Sequence, residues 1–361
     1  MINQDRLLDT FLDLVKIDSP FGEEGEVARY AAGRLRGLGF EVHTDKMNNV
    51  FGYLPGTGSP ILLNAHMDGV DPCRGIKPQV GADGIIRSDG TTILGADDRS
   101  GVAAILEAAH VVTSEKLPHL PIEIVLTVRE ERGLYGAKGM DYARIRAKRG
   151  LAVDGGGPVS TFVIAAPSQN SIVATIHGKA AHAGAAPEEG INAIRVMAEA
   201  IAQMPLGRID EETTSNVGTI QGGMASNIVP DRVEIEGEVR SHNEKKLRRY
   251  TQQIVDELET AAAQARAQAD VKISRSYTAF KLRNSDSLVK RMAEAAKAVE
   301  LEPDFVAAGG GSDANIFNAH GIRTLIVSTG MMNVHTTEEY IALADIVKCT
   351  ELLVAALTNN V

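Results

Sequence analysis

Tryptophan is absent from this 361-residue chain, and all aromatics together make up only 4% of it. Its core must therefore be built from Ala, Val, Ile and Leu. With 44% hydrophobic and 23% charged residues, the composition is that of a globular chain, not a disordered one. Cysteine is scarce: Cys73 and Cys349 form no CxxC pair and no disulfide framework, which suits a reducing compartment. Positive charge is also in deficit, with 37 Lys and Arg against 47 Asp and Glu, a net charge of -10. No basic stripe stands out against that background, which argues against nucleic acid as a partner. The densest basic run, Glu244–Tyr250, reads as the solvated face of a helix. No apolar run reaches the ~18 residues of a membrane span. Acidic residues interrupt the N-terminal segment, and Leu7, Leu8, Phe11, Leu12 and Val15 follow helical spacing, so it reads as a helix and not a signal peptide. The expectation is a soluble, cytoplasmic protein with neither a nucleic-acid nor a membrane partner.

What is present is an alternation. Helices are expected at about 4–17 and 23–38, and strand-like runs at "ILLNAH", "IEIVLTV" and "LAVD", with a small-residue helix after Asp98 between two of them. Strands alternating with helices imply an α/β fold, a mostly parallel sheet covered by helices on both faces. The composition changes near Pro167. Between Asn170 and about Thr278 the order becomes strand, helix, strand, strand, helix, strand, that of a ferredoxin-like α+β domain. "DSLVKRMAEAAKAVEL" and "RTLIVSTG" then resume the first pattern. The expected division is a main domain of residues 1–169 and 280–361, with 170–279 inserted.

Acidic and imidazole groups collect where apolar strands close. "ILLNAHMD" ends in His66 and Asp68, "IEIVLTVREE" in Glu130 and Glu131, and "LAVD" in Asp154; "RTLIVSTGMMNVH" leads to His335. In open α/β sheets, the carboxyl ends of strands are where sites form. So many ionisable groups on one edge would repel one another and raise their pKa values, a conflict that divalent metals remove. The adjacent pair Asp97-Asp98, at the mouth of the apolar helix, then supplies one carboxylate to bridge two ions. One His and one acid per metal plus that bridge give three protein ligands per ion, leaving room for water. Nitrogen and oxygen donors without thiolate suit two Zn2+ ions, with Co2+ or Mn2+ as substitutes. Each cluster alone has an ordinary explanation: a helix cap for Asp97-Asp98, a solvated loop for Glu130-Glu131, a turn for Asp154. Their shared place at strand ends has none.

In order, "AHMD", "GADDRSG", "REERG", "AVDGGG", "HGKAAHAG", "SNIVPD", "GGGSDAN" and "NVHTTEE" resemble the dinuclear zinc metallopeptidase family of peptidase T, carboxypeptidase G and the aminoacylases. "VDGGG" and "GADD" look most like its peptidase T branch, aminopeptidases that release the first residue of tripeptides. The resemblance implies a zinc-exopeptidase fold whose inserted domain serves as lid and dimerisation domain, giving a homodimer that acts on short peptides. It implies that His66 and Asp154 hold one metal, Glu131 and His335 the other, that Asp97 bridges them with its carboxylate, and that a cis peptide joins Asp97 to Asp98. Asp68 would orient His66. Glu130 would be the general base that takes a proton from the water shared by the metals and passes it to the leaving amine. His182 would stabilise the oxyanion, Asn227 and Arg240 would contact substrate, and Ser312 would line the cleft. Arg99 stands where the family commonly has Lys, and Asp154 where many of its deacylases have Glu. A deacylase or carboxypeptidase on the same metals is the alternative activity; a metal-binding protein without catalysis is a further one, against which Glu130 argues.

Overall fold

The computed structural model describes residues 2–358, and the chain divides into two compact units. The first comprises Met1–Ala165, Lys281–Ala307 and Ser312–Val361; the second comprises Ala166–Phe280 with Ala308–Gly311. The short return of Ala308–Gly311 to the second unit departs from the contiguous insertion expected from sequence. It is a contact made far along the chain, without a local signal.

The first unit is built on a mixed sheet with spatial order Glu41–Thr44, Val50–Leu54, Ile122–Thr127, Ile61–His66, Arg149–Gly156, Arg323–Met331, Thr161–Ala166. Ile61–His66 pairs parallel with both Ile122–Thr127 and Arg149–Gly156, which pairs parallel with Arg323–Met331. Every residue of Ile61–His66 and Ile122–Thr127 is buried, as expected of central parallel strands covered on both faces. The helix Gln4–Lys16 is capped by Asn3, whose side chain accepts from Arg6 N, and it buries Leu7, Phe11, Leu14 and Val15. Each such side chain contributes ~1.5–3 kcal/mol of hydrophobic stabilisation.

The helix Ala96–Ser114 packs among other helices and the sheet. From Ala96 to Ala109 nothing on it is exposed. Asp97 and Asp98 have non-helical dihedrals, so regular helix begins only after them. At Gly101 a Cβ would collide with the backbone oxygen of Val153. Glycine therefore lets this helix approach the strand that carries Asp154.

The second unit carries a five-stranded antiparallel sheet in the order Gly207–Asp210, Thr213–Gly222, Arg232–Ser241, Ser168–His177, Gln268–Tyr277. Its helices Ala193–Gln203 and Glu244–Gln264 bury Val196, Met197, Leu247, Ile254 and Leu258 against Ile172, Ile176, Val233 and Ile235. The short strand Gly207–Asp210 is an addition to the order read from sequence. Among the described residues, no helix of the chain is long and apolar enough to cross a membrane.

Candidate active site

His66 closes its strand, Asp68 lies two residues beyond it, and Glu130 and Glu131 follow Ile122–Thr127. Asp154 lies within Arg149–Gly156, and His335 follows Arg323–Met331. The parallel pairing aligns these strand ends and gathers the side chains into one cluster in the first unit. Nε2 of His66 is 3.0 Å from Oδ1 of Asp97 and 3.6 Å from Oδ1 of Asp154. Nε2 of His335 is 3.2 Å from Oδ2 of Asp97 and 3.1 Å from Oε2 of Glu131. The two oxygens of Asp97 thus face different histidines, and each histidine Nε2 faces one further carboxylate, Asp154 or Glu131. The Asp97-Asp98 peptide is cis, as the resemblance implies.

Asp98 is also close, and one ligand atom each of His66, Asp98 and Asp154 come within 4.8 Å of one another, as do those of His66, Asp97 and Glu131. Its oxygens, however, are already engaged by the backbone: Oδ2 accepts from His66 N at 3.1 Å and Oδ1 from Gly101 N at 3.2 Å. Asp97 is the member of the pair with both oxygens turned toward imidazoles.

The electrostatics are those of too many acids in too little water. Burial raises the carboxyls of Asp98, Glu130 and Asp154 well above the ordinary range, and each is pushed further by neighbouring carboxylates. Burial raises Asp313 to about 6 against a hydrogen bond from Thr127. Asp97 goes the other way: burial would raise it, but His335 and His66 hold it below the usual range. Burial would lower His66, yet Asp68 and Asp97 hold it well above its ordinary value. Asp97 and Glu131 lift His335 to about 10 against burial. Oε1 of Glu131 and Nδ1 of His66 are buried without a hydrogen-bond partner, although Nδ1 lies within ion-pair reach of Asp68 Oδ1 at 3.4 Å. An orphaned carboxylate oxygen, that of Glu131, among mutually repelling carboxylates is what divalent cations would satisfy, and the donor set fits a two-metal site.

Residues 168–266 match the model for a peptidase dimerisation domain, 49–159 that for peptidase family M28, and 250–352 that for M42 glutamyl aminopeptidase. The Bacillus subtilis protein YqjE is 41% identical over 98% of both chains. The structure of aminopeptidase PepT from Bacillus cereus is similar at 42% identity, with a TM-score of 0.88 over 99% of this chain and 98% of that one. That of a tripeptidase from Staphylococcus aureus is similar at 38% identity, with a TM-score of 0.94 over the same shares. The chain belongs to the peptidase T-like M20 metallopeptidases.

In this peptidase T-like chain, the remaining expected site residues have mixed placements. Ser312 is in the first unit, but its hydroxyl caps the helix Asp313–Ala319, accepting from Ala314 N. In the second unit, His182 and Asn227 are brought together: Ala183 N donates to Asn227 O, and His182 bridges Ile228. Nδ1 of His182 accepts from Gly184 N and Ala185 N, which assigns its proton to the exposed Nε2. Arg240 forms a two-pronged pair with Glu238, at 2.7 and 3.0 Å.

One buried residue at the site, Glu339, was not singled out by sequence reasoning, and two that were named there without a role at the metals, Asp313 and Arg99, are buried as well. Glu339 is almost wholly buried and takes the backbone N–H of Gly95 at 2.7 Å and of Asp97 at 2.9 Å. Burial raises its carboxyl against those two bonds. Arg99 donates to Asp68 O and Ser19 Oγ. Glu339 follows His335 in "HTTEEY", and its proximity to a candidate ligand was the one available signal.

Proposed function

We propose that the protein is a tripeptide aminopeptidase, releasing the N-terminal residue of short peptides at a two-metal centre. The observation that carries the reading is the division of the two Asp97 oxygens between His66 and His335. It supports assigning His66 and Asp154 to one ion, His335 and Glu131 to the other, and Asp97 to both. Imidazole and carboxylate donors without thiolate suit zinc, with cobalt or manganese as substitutes. Bound there, divalent ions would supply a lowered water pKa and positive charge opposite a developing oxyanion.

The rest falls to the chain itself. Asp68 holds the His66 ring from the Nδ1 side. Glu130, buried and with its carboxyl raised, is placed to take a proton from the attacking water and return it to the departing amine, work that favours a pKa near the operating pH. The exposed Nε2–H of His182 is the donor assigned to the substrate oxyanion, and Asn227 and Arg240 are assigned to the peptide. A guanidinium suits a peptide carboxylate because it pairs in a fork; Arg240 would have to share itself with Glu238 or exchange partners.

We place the active form in a homodimer formed through the second unit. Strand Thr213–Gly222 pairs with Gly207–Asp210 only through Thr213–Ser215, and Ile220 and Met224 beyond that pairing are exposed. An open strand edge with apolar side chains beside it suits association with a second chain. The free, buried thiols of Cys73 and Cys349 fit a cytoplasmic location.

The reading is tested by incubating the zinc- or cobalt-loaded protein with a free tripeptide and its N-acetylated twin, with products identified by mass spectrometry. Release of the first residue from the free peptide alone is expected. Loss of the acetyl group, or of the C-terminal residue, would instead make the protein a deacylase or carboxypeptidase on the same metals.

A further inference from the structure

Three consecutive backbone N–H groups, those of Arg129, Glu130 and Glu131, end on two buried carboxylates. Asp68 takes two of them, Oδ1 from Glu130 N at 2.9 Å and Oδ2 from Glu131 N at 3.2 Å. Glu24 takes the third: its Oε1 accepts from Arg129 N at 3.2 Å and from Gly22 N at 2.8 Å. Glu24 is fully buried, and its Oε2 has no hydrogen-bond partner. A carboxylate held in such a place is costly unless it is needed there. It does not serve as a helix cap, because Glu24 stands at the N-cap of Gly25–Gly37 without making a side-chain cap bond.

The segment that delivers Glu24 is itself tied to the site. Pro20 bridges Gly69, Gly69 N donates to Ser19 O at 3.1 Å, and the buried guanidinium of Arg99 joins Ser19 Oγ to Asp68 O. On the receiving side, Arg129 has a φ of 55°, in the left-handed region that non-glycine residues avoid. The chain therefore enters Glu130 through a turn that Arg129 would not choose, and the bond from its N–H to Glu24 is one of the forces holding it.

We infer that Glu24 is a positioning residue for the reaction, fixing through the N–H of Arg129 the turn that presents the Glu130 carboxylate. The inference rests on Glu130 being the general base. Asp68 keeps its own two bonds when Glu24 is altered, so the Glu131 side of the loop, and with it the metals, stay in place. Only the aim of Glu130 is lost, and a misplacement of ~1 Å at a reacting group can cost about 100-fold in rate.

The test uses the full-length, metal-loaded protein and the variants Glu24→Gln, Glu24→Asp, Glu24→Ala and Glu130→Gln, measuring kcat, KM and bound metal. Glu24→Gln keeps an acceptor oxygen at the same reach and is expected to hold kcat within about threefold of wild type. Glu24→Asp is one methylene short, and Glu24→Ala has no acceptor. Both are expected to lose about 10- to 100-fold in kcat with KM and metal content little changed. Should Glu24→Ala fail to fold, the contrast between Gln and Asp decides alone. Wild-type kcat in Glu24→Asp, a Gln variant as damaged as the Asp variant, or losses that track metal content would each overturn the inference. Glu130→Gln reports separately on the underlying reading: if it retains turnover, the base assignment fails whatever the Glu24 series shows.

Discussion

Glu339 holds the backbone N–H of Asp97 at 2.9 Å while its second oxygen holds Gly95 at 2.7 Å. It stands four residues after His335, whose imidazole faces the Asp97 carboxylate. The short pairing of Tyr340–Ala342 with Ile85–Arg87 anchors the segment just beyond Glu339. One side chain thus fastens together the two loops that present Asp97 and His335. Replacing it with Ala would leave two buried N–H groups without an acceptor, at about 1–3 kcal/mol each. Glu339→Ala is expected to bind metal about 10- to 100-fold more weakly, as loss of a supporting partner does elsewhere. Competition against a chromogenic chelator measures this, and affinity equal to wild type would refute it.

Asp97 and Glu130 should separate metal binding from proton transfer. Asp97→Ala removes the carboxylate that faces both histidines and is expected to lose metal and activity together. Glu130→Ala is expected to keep two metals per chain and lose about 100- to 10,000-fold in turnover, the range of a general base. Elemental analysis beside steady-state rates distinguishes the two. Two tightly held zinc ions in the Asp97 variant would rule out the bridging assignment.

The reach of the sequence can be judged from these same residues. The alternating helices and apolar strands, and the acids and imidazoles at their ends, were legible because both signals are local. Parallel pairing aligns the strand ends that carry His66, Glu131, Asp154 and His335, and the start of the helix Ala96–Ser114 brings Asp97 to them. Glu24 and Glu339 were not legible. Each is one member of a Glu-Glu pair, in "FGEEGE" and "HTTEEY", and which member turns inward depends on partners about a hundred residues or more away. Asp98 was half legible. Its adjacency to Asp97 marked the site, but the division of labour, one carboxylate to the imidazoles and one to the backbone, depends on how His66 N and Gly101 N approach.

Gly101→Ala tests the packing beneath the site. The added Cβ would meet the carbonyl oxygen of Val153 and the Asp98 carboxylate, and a backbone oxygen in a central strand cannot step aside. Either the helix withdraws from the strand or Asp154 moves with it. The expected cost is about 3 kcal/mol in stability, at the upper end for overpacking, with weakened metal binding. Thermal unfolding of the metal-free protein isolates the first effect; an unchanged Tm would show that the helix accommodates a methyl group.

Metal binding should release protons and tighten as pH rises. Without metal, His335 is lifted to about 10 by Asp97 and Glu131, and His66 is held well above its ordinary value by Asp68 and Asp97 against burial. His335 is therefore protonated at pH 7 in the metal-free protein, and His66 is shifted toward its protonated form. A metal accepts only the neutral ring, so each ion must displace a proton. Asp154, raised by burial and its acidic neighbours, adds a further share. The sign follows: lowering the pH favours the protonated, metal-free form, and raising it removes the competing protons. About two protons per chain are expected on loading the chelator-treated protein with zinc at pH 7. Calorimetry in buffers of different ionisation enthalpy counts them. Release of none would mean that the imidazoles are already neutral, so that the carboxylate cluster does not hold them charged.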